Sequence, residues 1–279
     1  MRLRLYHHSD GARVAYREAG TGPALVLLHS LGLTHREWGP VVGELSGRFR
    51  VVLPDLPLHG DSEDRPRHPY TPGWLTEVIA GFCTEVAGPR PLLGGHDIGA
   101  ELALRAVITD QLEPARLILM SNRLHRSEQL GGRRTAWRMA CRAAAVPGLD
   151  LVLSYGAKLA FRPSLGDKLS AQRNPAARDL IRHAIDDVGG NSNRARAWAR
   201  FVRRWPVEPQ RQLLDAYEHI TAPVLLLWAE EDRVHPLVAA QEALDLLVDA
   251  QLRTLPEAGF LVAYDDPVGV ARELIAFLG

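Results

Sequence analysis

The chain of 279 residues contains only two cysteines, Cys83 and Cys141, and only two lysines, Lys158 and Lys168. Two cysteines are too few for a disulfide framework, so we expect a reduced, cytoplasmic setting. The 33 basic residues balance the 33 acidic ones, which argues against a nucleic-acid partner or an anionic membrane surface. No apolar run approaches the roughly 20 residues of a membrane span, and the N-terminus lacks the apolar segment of a signal peptide.

The sequence also lacks a cluster of metal-ligand residues and a glycine-rich phosphate loop. We therefore expect no metal and no cofactor, and a small-molecule substrate as the partner. The sequence leaves open whether the protein is a monomer or a homodimer.

Short continuous apolar runs alternate along the chain with longer segments of helical periodicity. Continuous apolar runs are typical of parallel strands that are covered on both faces. The pattern predicts an α/β fold with a mostly parallel central sheet and flanking helices, preceded by a strand pair that turns at Asp10 and Gly11. The predicted strands are residues 24–30, 49–55, 91–95, 115–121, 222–229 and 251–256, and the predicted helices are 36–46, 73–86, 98–109, 236–248 and 267–278.

Residues 123–218 interrupt this alternation. The segment has no strand pattern, is rich in arginine, and contains Trp137, Trp198 and Trp205. We interpret it as a helical cap inserted into a core made of residues 1–122 and 219–279. A substrate pocket is expected between core and cap at the carboxyl edge of the sheet, where the three tryptophans either line the pocket or pack within the cap.

A glycine-flanked turn, Gly-His-Asp-Ile-Gly at residues 95–99, follows an apolar strand and opens a helix. It matches the nucleophile elbow G-x-S-x-G, with Asp97 in place of serine. The glycines have a mechanical reason, because the central residue is held in a strained conformation and its surroundings must be small. An ordinary helix N-cap is the alternative interpretation of Asp97.

Three further stretches accompany this turn: LLHSLG at residues 27–32, DLPLHGDS at 55–62, and LLLWAEEDRVHP at 225–236. Together with the elbow they resemble the α/β-hydrolase fold superfamily over essentially the whole chain. The resemblance implies an oxyanion hole made by the backbone N–H groups of Leu31 and Ile98, with Ser30 beside it in the pocket. It also implies that Asp232 is the acid of a catalytic triad.

A carboxylate at the elbow is better suited to displacement at a saturated carbon than to attack on an ester carbonyl. With an ordinary pKa of about 3.9 it is ionised at neutral pH. Attack on an ester carbonyl would give an unproductive anhydride, whereas displacement at a saturated carbon gives an alkyl ester. This resembles epoxide hydrolases and haloalkane dehalogenases. Ile98, where dehalogenases carry tryptophan, favours the epoxide hydrolases, whose cap tyrosines protonate the leaving oxygen; Tyr155 and Tyr217 are the candidates, with core packing as the alternative.

The last stretch, PEAGFLVAYDDP, departs from the superfamily pattern P-x-A-G-H. Phe260 stands where the catalytic histidine belongs, and its ring cannot take a proton from water. His125 and His235 could substitute, although a solvated loop position is the favoured interpretation of both. The sequence therefore predicts an incomplete triad, in which Asp97 faces a dry pocket without an imidazole neighbour.

Four functional interpretations follow. The favoured one is non-hydrolytic acid–base chemistry by Asp97 on a small apolar substrate, as in a lyase, isomerase or cyclase of secondary metabolism. The second is an epoxide-hydrolase-like enzyme with another activator of water. The third is a non-catalytic ligand binder, and the fourth is a hydrolase in which Phe260 is an engineered substitution.

Overall fold

The computed structural model describes residues 1–125, 139, 146, 163–188, 192–206 and 210–279. Eight strands form one sheet in the order β1-β2-β4-β3-β5-β6-β7-β8. The strands are β1 (Arg2–His7), β2 (Arg13–Ala19), β3 (Ala24–Leu28), β4 (Arg50–Pro54), β5 (Leu92–His96), β6 (Arg116–Met120), β7 (Val224–Ala229) and β8 (Ala250–Leu255).

The first two strands and β4 pair antiparallel, and the remaining neighbours pair parallel. The predicted α/β fold with a mostly parallel sheet is therefore confirmed. Every predicted strand is present, with ends that differ by one or two residues. Because β3, β5, β6 and β7 run parallel, the carboxyl ends of β3, β5 and β7 all open at one edge of the sheet. This edge is the usual location of sites in open α/β sheets.

The described helices are α1 (Gly39–Leu45), α2 (Pro72–Ala87), α3 (Ile98–Ile108), α4 (Gly166–Leu169), α5 (Pro175–Val188), α6 (Ser192–Arg204), α7 (Arg211–Leu214), α8 (Leu237–Leu244), α9 (Val262–Asp265) and α10 (Pro267–Leu278). The predicted helix 36–46 is divided into a 3₁₀ turn, His35–Trp38, and α1. Pro40 lies in the first turn of α1, and its missing N–H prevents the turn from continuing as one helix. No helix in the described ranges is long and apolar enough to cross a membrane.

Alternate residues of the parallel strands enter two different apolar cores. Val26 and Leu28 of β3 pack with α2 and α3 on one face of the sheet. Leu25 and Leu27 pack with α1 and α10 on the other face. This alternation is the two-residue period of a strand, and it explains why strands covered on both faces are apolar throughout.

Two helices of the predicted cap segment, α5 and α6, are joined to the loop that follows β4. The guanidinium of Arg194 donates to the carbonyl oxygen of Gly60 at 3.0 Å and to Asp64 at 3.2 Å. The N–H of Gly60 in turn donates to Asp187 at 2.8 Å. The division into core and cap stays a prediction, because much of residues 123–218 lies outside the described ranges.

Candidate active site

The backbone turns sharply between β5 and α3. Asp97 has φ 50° and ψ −117° there, a conformation that residues other than glycine rarely adopt. A Cβ atom on Gly99 would lie 2.5 Å from the carbonyl oxygen of Leu28, and one on Gly95 would overlap the carbonyl carbon of Gly99. Both glycines are needed because the strand and the helix cross almost in contact, as the elbow pattern predicts.

Each oxygen of the Asp97 carboxylate has its own partner. Oδ2 accepts the backbone N–H of Leu31 at 3.0 Å, and Oδ1 lies 3.2 Å from Nε2 of His235. The N–H of Ile98 belongs to the first turn of α3, whose N–H groups have no acceptor within the helix. The Asp97 side chain is 13% exposed, whereas that of His235 is 2% exposed. The carboxylate is therefore the part of this group that a small molecule can reach.

His235 lies between two carboxylates. Its Nδ1 is 3.2 Å from Oδ2 of Asp232, and its Nε2 faces Asp97. The other oxygen of Asp232 accepts the backbone N–H groups of Val234 at 2.7 Å and of His235 at 3.2 Å. The indole N–H of Trp228 donates to the carbonyl oxygen of His235 at 3.0 Å. These bonds fix the loop after β7, so that Asp97, His235 and Asp232 form one continuous chain of contacts.

The expectation that Asp97 has no imidazole neighbour is wrong, and so is the interpretation of His235 as a solvated loop residue. His235 is 3% exposed, and its ring nitrogen Nε2 contacts the carboxylate of Asp97. Phe260 does occupy the loop after β8, but its ring stacks on that of His235, with centroids 5.8 Å apart and planes 25° apart. The signal in the sequence was the spacing Asp232-x-x-His235, which lets one short loop carry both the acid and the imidazole.

The negative charge of Asp97 and the positive charge of His235 stabilise each other. Burial alone would raise the pKa of Asp97, but the hydrogen bond and charge of His235, with smaller contributions from Arg123 and the Leu31 N–H, hold it well below its usual range. Burial alone would lower the pKa of His235, but its hydrogen bonds to Asp232 and Asp97 raise it to about 9. At neutral pH Asp97 is ionised, as the sequence predicts.

A second buried carboxylate, Glu37, lies behind the loop that carries Leu31, and sequence reasoning missed it. Oε2 of Glu37 accepts the backbone N–H of Ser30 at 2.7 Å, and Oε1 accepts the hydroxyl of Ser30 at 2.7 Å and Nδ1 of His96 at 2.6 Å. Ser30, predicted to line the substrate pocket, has its hydroxyl in this cluster. Glu37 thus joins the residue before Leu31 to the residue before Asp97.

Two further charged residues near Asp97 were not predicted from the sequence either. Glu101, one turn after Asp97 on α3, is buried and accepts Nε–H of Arg123 at 3.2 Å. Burial raises the pKa of Glu101, and the negative charge of Asp97 adds to this effect, while Arg123 opposes it. Because Arg123 also lowers the pKa of Asp97, it helps to keep the Asp97 carboxylate ionised.

The other predicted site residues take different positions. Nδ1 of His125 lies 3.0 Å from the hydroxyl of Tyr217, and both residues are buried. Burial, with the charge of Arg105, lowers the pKa of His125 to about 3, so this ring is neutral and is not the solvated histidine that the sequence suggested. Trp137 and Tyr155 lie outside the described residues.

The two described tryptophans of the predicted cap differ in their surroundings. Trp205 is buried against Phe201, with ring centroids 5.0 Å apart, which is the packing alternative. Trp198 contacts the ring of His59 edge-on at 5.0 Å, and Nε2 of His59 accepts the N–H of Gly32 at 3.0 Å. The ring of His59 therefore separates Trp198 from the loop that contains Leu31 and Gly32.

Comparison with known proteins agrees with the fold. Residues 25–273 match the alpha/beta hydrolase family. The chain belongs to this family. The superfamily resemblance of the four sequence motifs is thereby confirmed, together with the fold that it implies.

Relatives within the alpha/beta hydrolase family have different activities. A protein of Mycobacterium tuberculosis (strain ATCC 25618 / H37Rv) is 28% identical over 261 residues, which are 92% of this chain and 75% of that protein. The pimeloyl-(acyl-carrier protein) methyl ester esterase of Stenotrophomonas maltophilia is 27% identical over 265 residues, 93% of this chain and 95% of the esterase. The solved structure of the epoxide hydrolase CorEH superposes with a TM-score of 0.78 at 18% identity, covering 99% of this chain and 98% of that one. Such a likeness shows the fold alone, so function has to be argued from the site.

Proposed function

We propose that this alpha/beta hydrolase uses Asp97 to form an alkyl ester with a small epoxide, and that water activated by His235 hydrolyses the ester. The observation that carries the proposal is the 3.2 Å contact between Nε2 of His235 and Oδ1 of Asp97. An ionised carboxylate beside an imidazole that is held by a second acid contains the groups needed to make and break such an ester.

The first step is attack by Asp97 on a saturated epoxide carbon. Oδ2 accepts the N–H of Leu31, so Oδ1 is the oxygen that attacks and then carries the alkyl group. Oδ2 becomes the carbonyl oxygen of the ester. It already accepts the backbone N–H of Leu31, and negative charge develops on it in the next step.

The second step needs His235 as a base. Ester formation removes the charge of Asp97, which is one of the two carboxylates that raise the pKa of His235. The pKa of the ring then falls, and the neutral ring takes a proton from a water molecule that attacks Cγ of Asp97. Collapse of the intermediate releases the alcohol and regenerates the Asp97 carboxylate.

The acid–base interpretation as a lyase, isomerase or cyclase depended on a site without imidazole. The contact of His235 with Asp97 removes that reason for preferring it. It differs from the present proposal in a measurable way, since it requires no covalent adduct on Asp97. The non-catalytic binder differs in requiring no reaction at all.

The test is intact-protein mass spectrometry of the His235→Gln variant with a panel of terminal aryl and alkyl epoxides. Glutamine retains hydrogen-bonding capacity but cannot act as a base, so we expect the protein to gain the mass of one epoxide and to release diol at least about 100-fold more slowly than wild type. In H₂¹⁸O the wild-type protein should incorporate ¹⁸O into the side chain of Asp97, because water attacks the ester carbon.

The matched control is His125→Gln, which replaces another buried histidine outside the nucleophile contact. It should turn over epoxide without a stable adduct. Turnover by the wild type with no ¹⁸O in Asp97 would favour acid–base chemistry instead. Epoxide binding with no reaction in any variant would favour the binder.

A separate prediction concerns Glu37. In Glu37→Gln one acceptor oxygen remains for three donors, so the loop with Leu31 should shift relative to Asp97 and the rate of epoxide turnover should fall about 10- to 100-fold. The control is Glu63→Gln, in which an equally buried carboxylate near Arg65 is changed. Steady-state kinetics and urea unfolding of both variants are the measurements; an equal loss of activity in both would contradict the positioning role of Glu37.

A further inference from the structure

The two carboxylates that contact the ring of His235 specify its protons. Each ring nitrogen faces a carboxylate oxygen at 3.2 Å, Nε2 that of Asp97 and Nδ1 that of Asp232. The remaining oxygens of the two carboxylates accept backbone N–H groups, from Leu31 in one case and from Val234 and His235 in the other. Ionised carboxylates can only accept hydrogen bonds, so both ring nitrogens must carry a proton. The free protein therefore holds His235 as an imidazolium.

An opened epoxide leaves a negative oxygen that needs a proton. The hydroxyl of Tyr217, one predicted donor, lies 3.0 Å from Nδ1 of His125. The proton on Nε2 of His235, in contrast, lies against the attacking oxygen of Asp97. We propose that His235 gives this proton to the epoxide oxygen in the first step and takes a proton from water in the second, so that one imidazole is both acid and base.

The atoms and charges of this cycle balance, given the proposed function on which it rests. In the first step the bond from Oδ1 of Asp97 to carbon forms, the epoxide C–O bond breaks, and the oxygen takes both the electron pair and the Nε2 proton. In the second step neutral His235 takes one proton from water, the water oxygen bonds to Cγ of Asp97, and the Cγ–Oδ1 bond breaks. The other proton of that water ends on the departing alcohol. The sum is epoxide plus water to vicinal diol, with the imidazolium restored.

The surroundings of the ring favour its protonated form. Asp232 on the same loop and Asp97 on the elbow both attract the proton, and they raise the pKa of His235 to about 9 in spite of burial. Glu101 and Arg123 on the other side of Asp97 are an ion pair of opposite charges. The ring of Phe260 stacks on the imidazolium, and an aromatic face attracts a cation. Phe260 therefore supports the charge that a first-step acid requires.

The pH dependence follows from the raised pKa. Below about 9 the ring keeps its proton and the first step runs at full rate; as pH rises through about 9 the proton is lost and the rate falls. An alkyl bromide needs no proton on its leaving group, so its reaction with Asp97 should show no such fall. A tyrosine donor would hold its proton to higher pH, because the ordinary pKa of tyrosine is about 10.

The experiment is rapid-quench mass spectrometry of adduct formation in a single turnover. It compares wild type with His235→Gln, using a terminal aryl epoxide and the primary bromide of the same carbon skeleton, from pH 6 to 10.5. We expect the substitution to slow adduct formation from the epoxide by about 10² to 10⁴ and from the bromide by less than about tenfold. The wild-type epoxide rate should fall above pH about 9.

Equal adduct rates from the epoxide in wild type and variant would overturn the dual role while leaving the Asp97 ester intact. Equal slowing with both substrates would also overturn it, since the ring would then only position Asp97. If the bromide is unreactive with both proteins, the pH profile of the wild-type epoxide reaction decides, and a flat profile to pH 10.5 overturns the role. Absence of any adduct, even in the variant, would reject the proposed function itself.

Discussion

Replacing Asp97 with asparagine is expected to lower epoxide turnover by at least about 10⁴-fold and to remove every covalent adduct. The amide is a poor nucleophile, but it is close in size to the carboxylate and keeps an oxygen for the N–H of Leu31. Asparagine also tolerates positive φ better than most residues, so the elbow should retain its shape at φ 50°. The loss is therefore chemical and not structural.

The same substitution should change the titration of His235. Asp97 and Asp232 both raise the pKa of His235, and the substitution removes the charge of Asp97. The pKa of His235 should therefore fall from about 9 toward its ordinary range, while Asp232 still stabilises the charged ring. NMR titration of the imidazole signals measures this shift. Asp110→Asn is the matched control, because Asp110 is an exposed aspartate that also has a positive φ, of 54°. An unchanged pKa of His235 in Asp97→Asn would contradict the contact described here.

Gly99→Ala is expected to have the largest effect on stability. The new Cβ atom would lie 2.5 Å from the carbonyl oxygen of Leu28, and neither backbone segment can move away without disturbing the sheet or α3. We expect a loss of about 3 kcal/mol in the free energy of unfolding. Any protein that folds should have Asp97 displaced from both Leu31 and His235, and turnover should fall with it.

The control for this substitution is Gly43→Ala. Gly43 is exposed within α1, and a Cβ atom there meets nothing within 4 Å. Alanine is the better helix former, so this variant should gain about 0.5–1 kcal/mol. Urea unfolding followed by circular dichroism measures both. A Gly99→Ala protein as stable as wild type would mean that β3 and α3 are further apart than the structure has them.

The fold was predictable because its signals are local. Continuous apolar strands such as β7 show the sheet directly, and the two glycines around Asp97 reveal a crossing of strand and helix. The backbone N–H of Leu31 beside Asp97 was also predictable, because its position follows from the loop after β3. The short helix α9 and the break before α1 were missed, since both depend on turn geometry and a single proline.

The contact of His235 with Asp97 was not predictable in the same way. His235 reaches Asp97 only because the loop after β7 turns back through two backbone hydrogen bonds to Asp232. The spacing Asp232-x-x-His235 permits that turn but does not specify it, and the superfamily pattern places the histidine in the loop after β8, where this chain has Phe260. Glu37 was missed for a similar reason, since its partners Ser30 and His96 are 7 and 59 residues away along the chain.

The placement of acid and imidazole within four consecutive residues has an evolutionary consequence. In a chain with this arrangement, one segment of four residues, from Asp232 to His235, carries both groups and can be moved between proteins as a unit. A histidine after the last strand depends instead on an acid that lies on a different loop. The position of Phe260 then needs no histidine, and an aromatic ring there can stack on His235 instead. Sequence surveys that require histidine there would dismiss such chains as inactive, and a search for Asp-x-x-His after the penultimate strand would recover them.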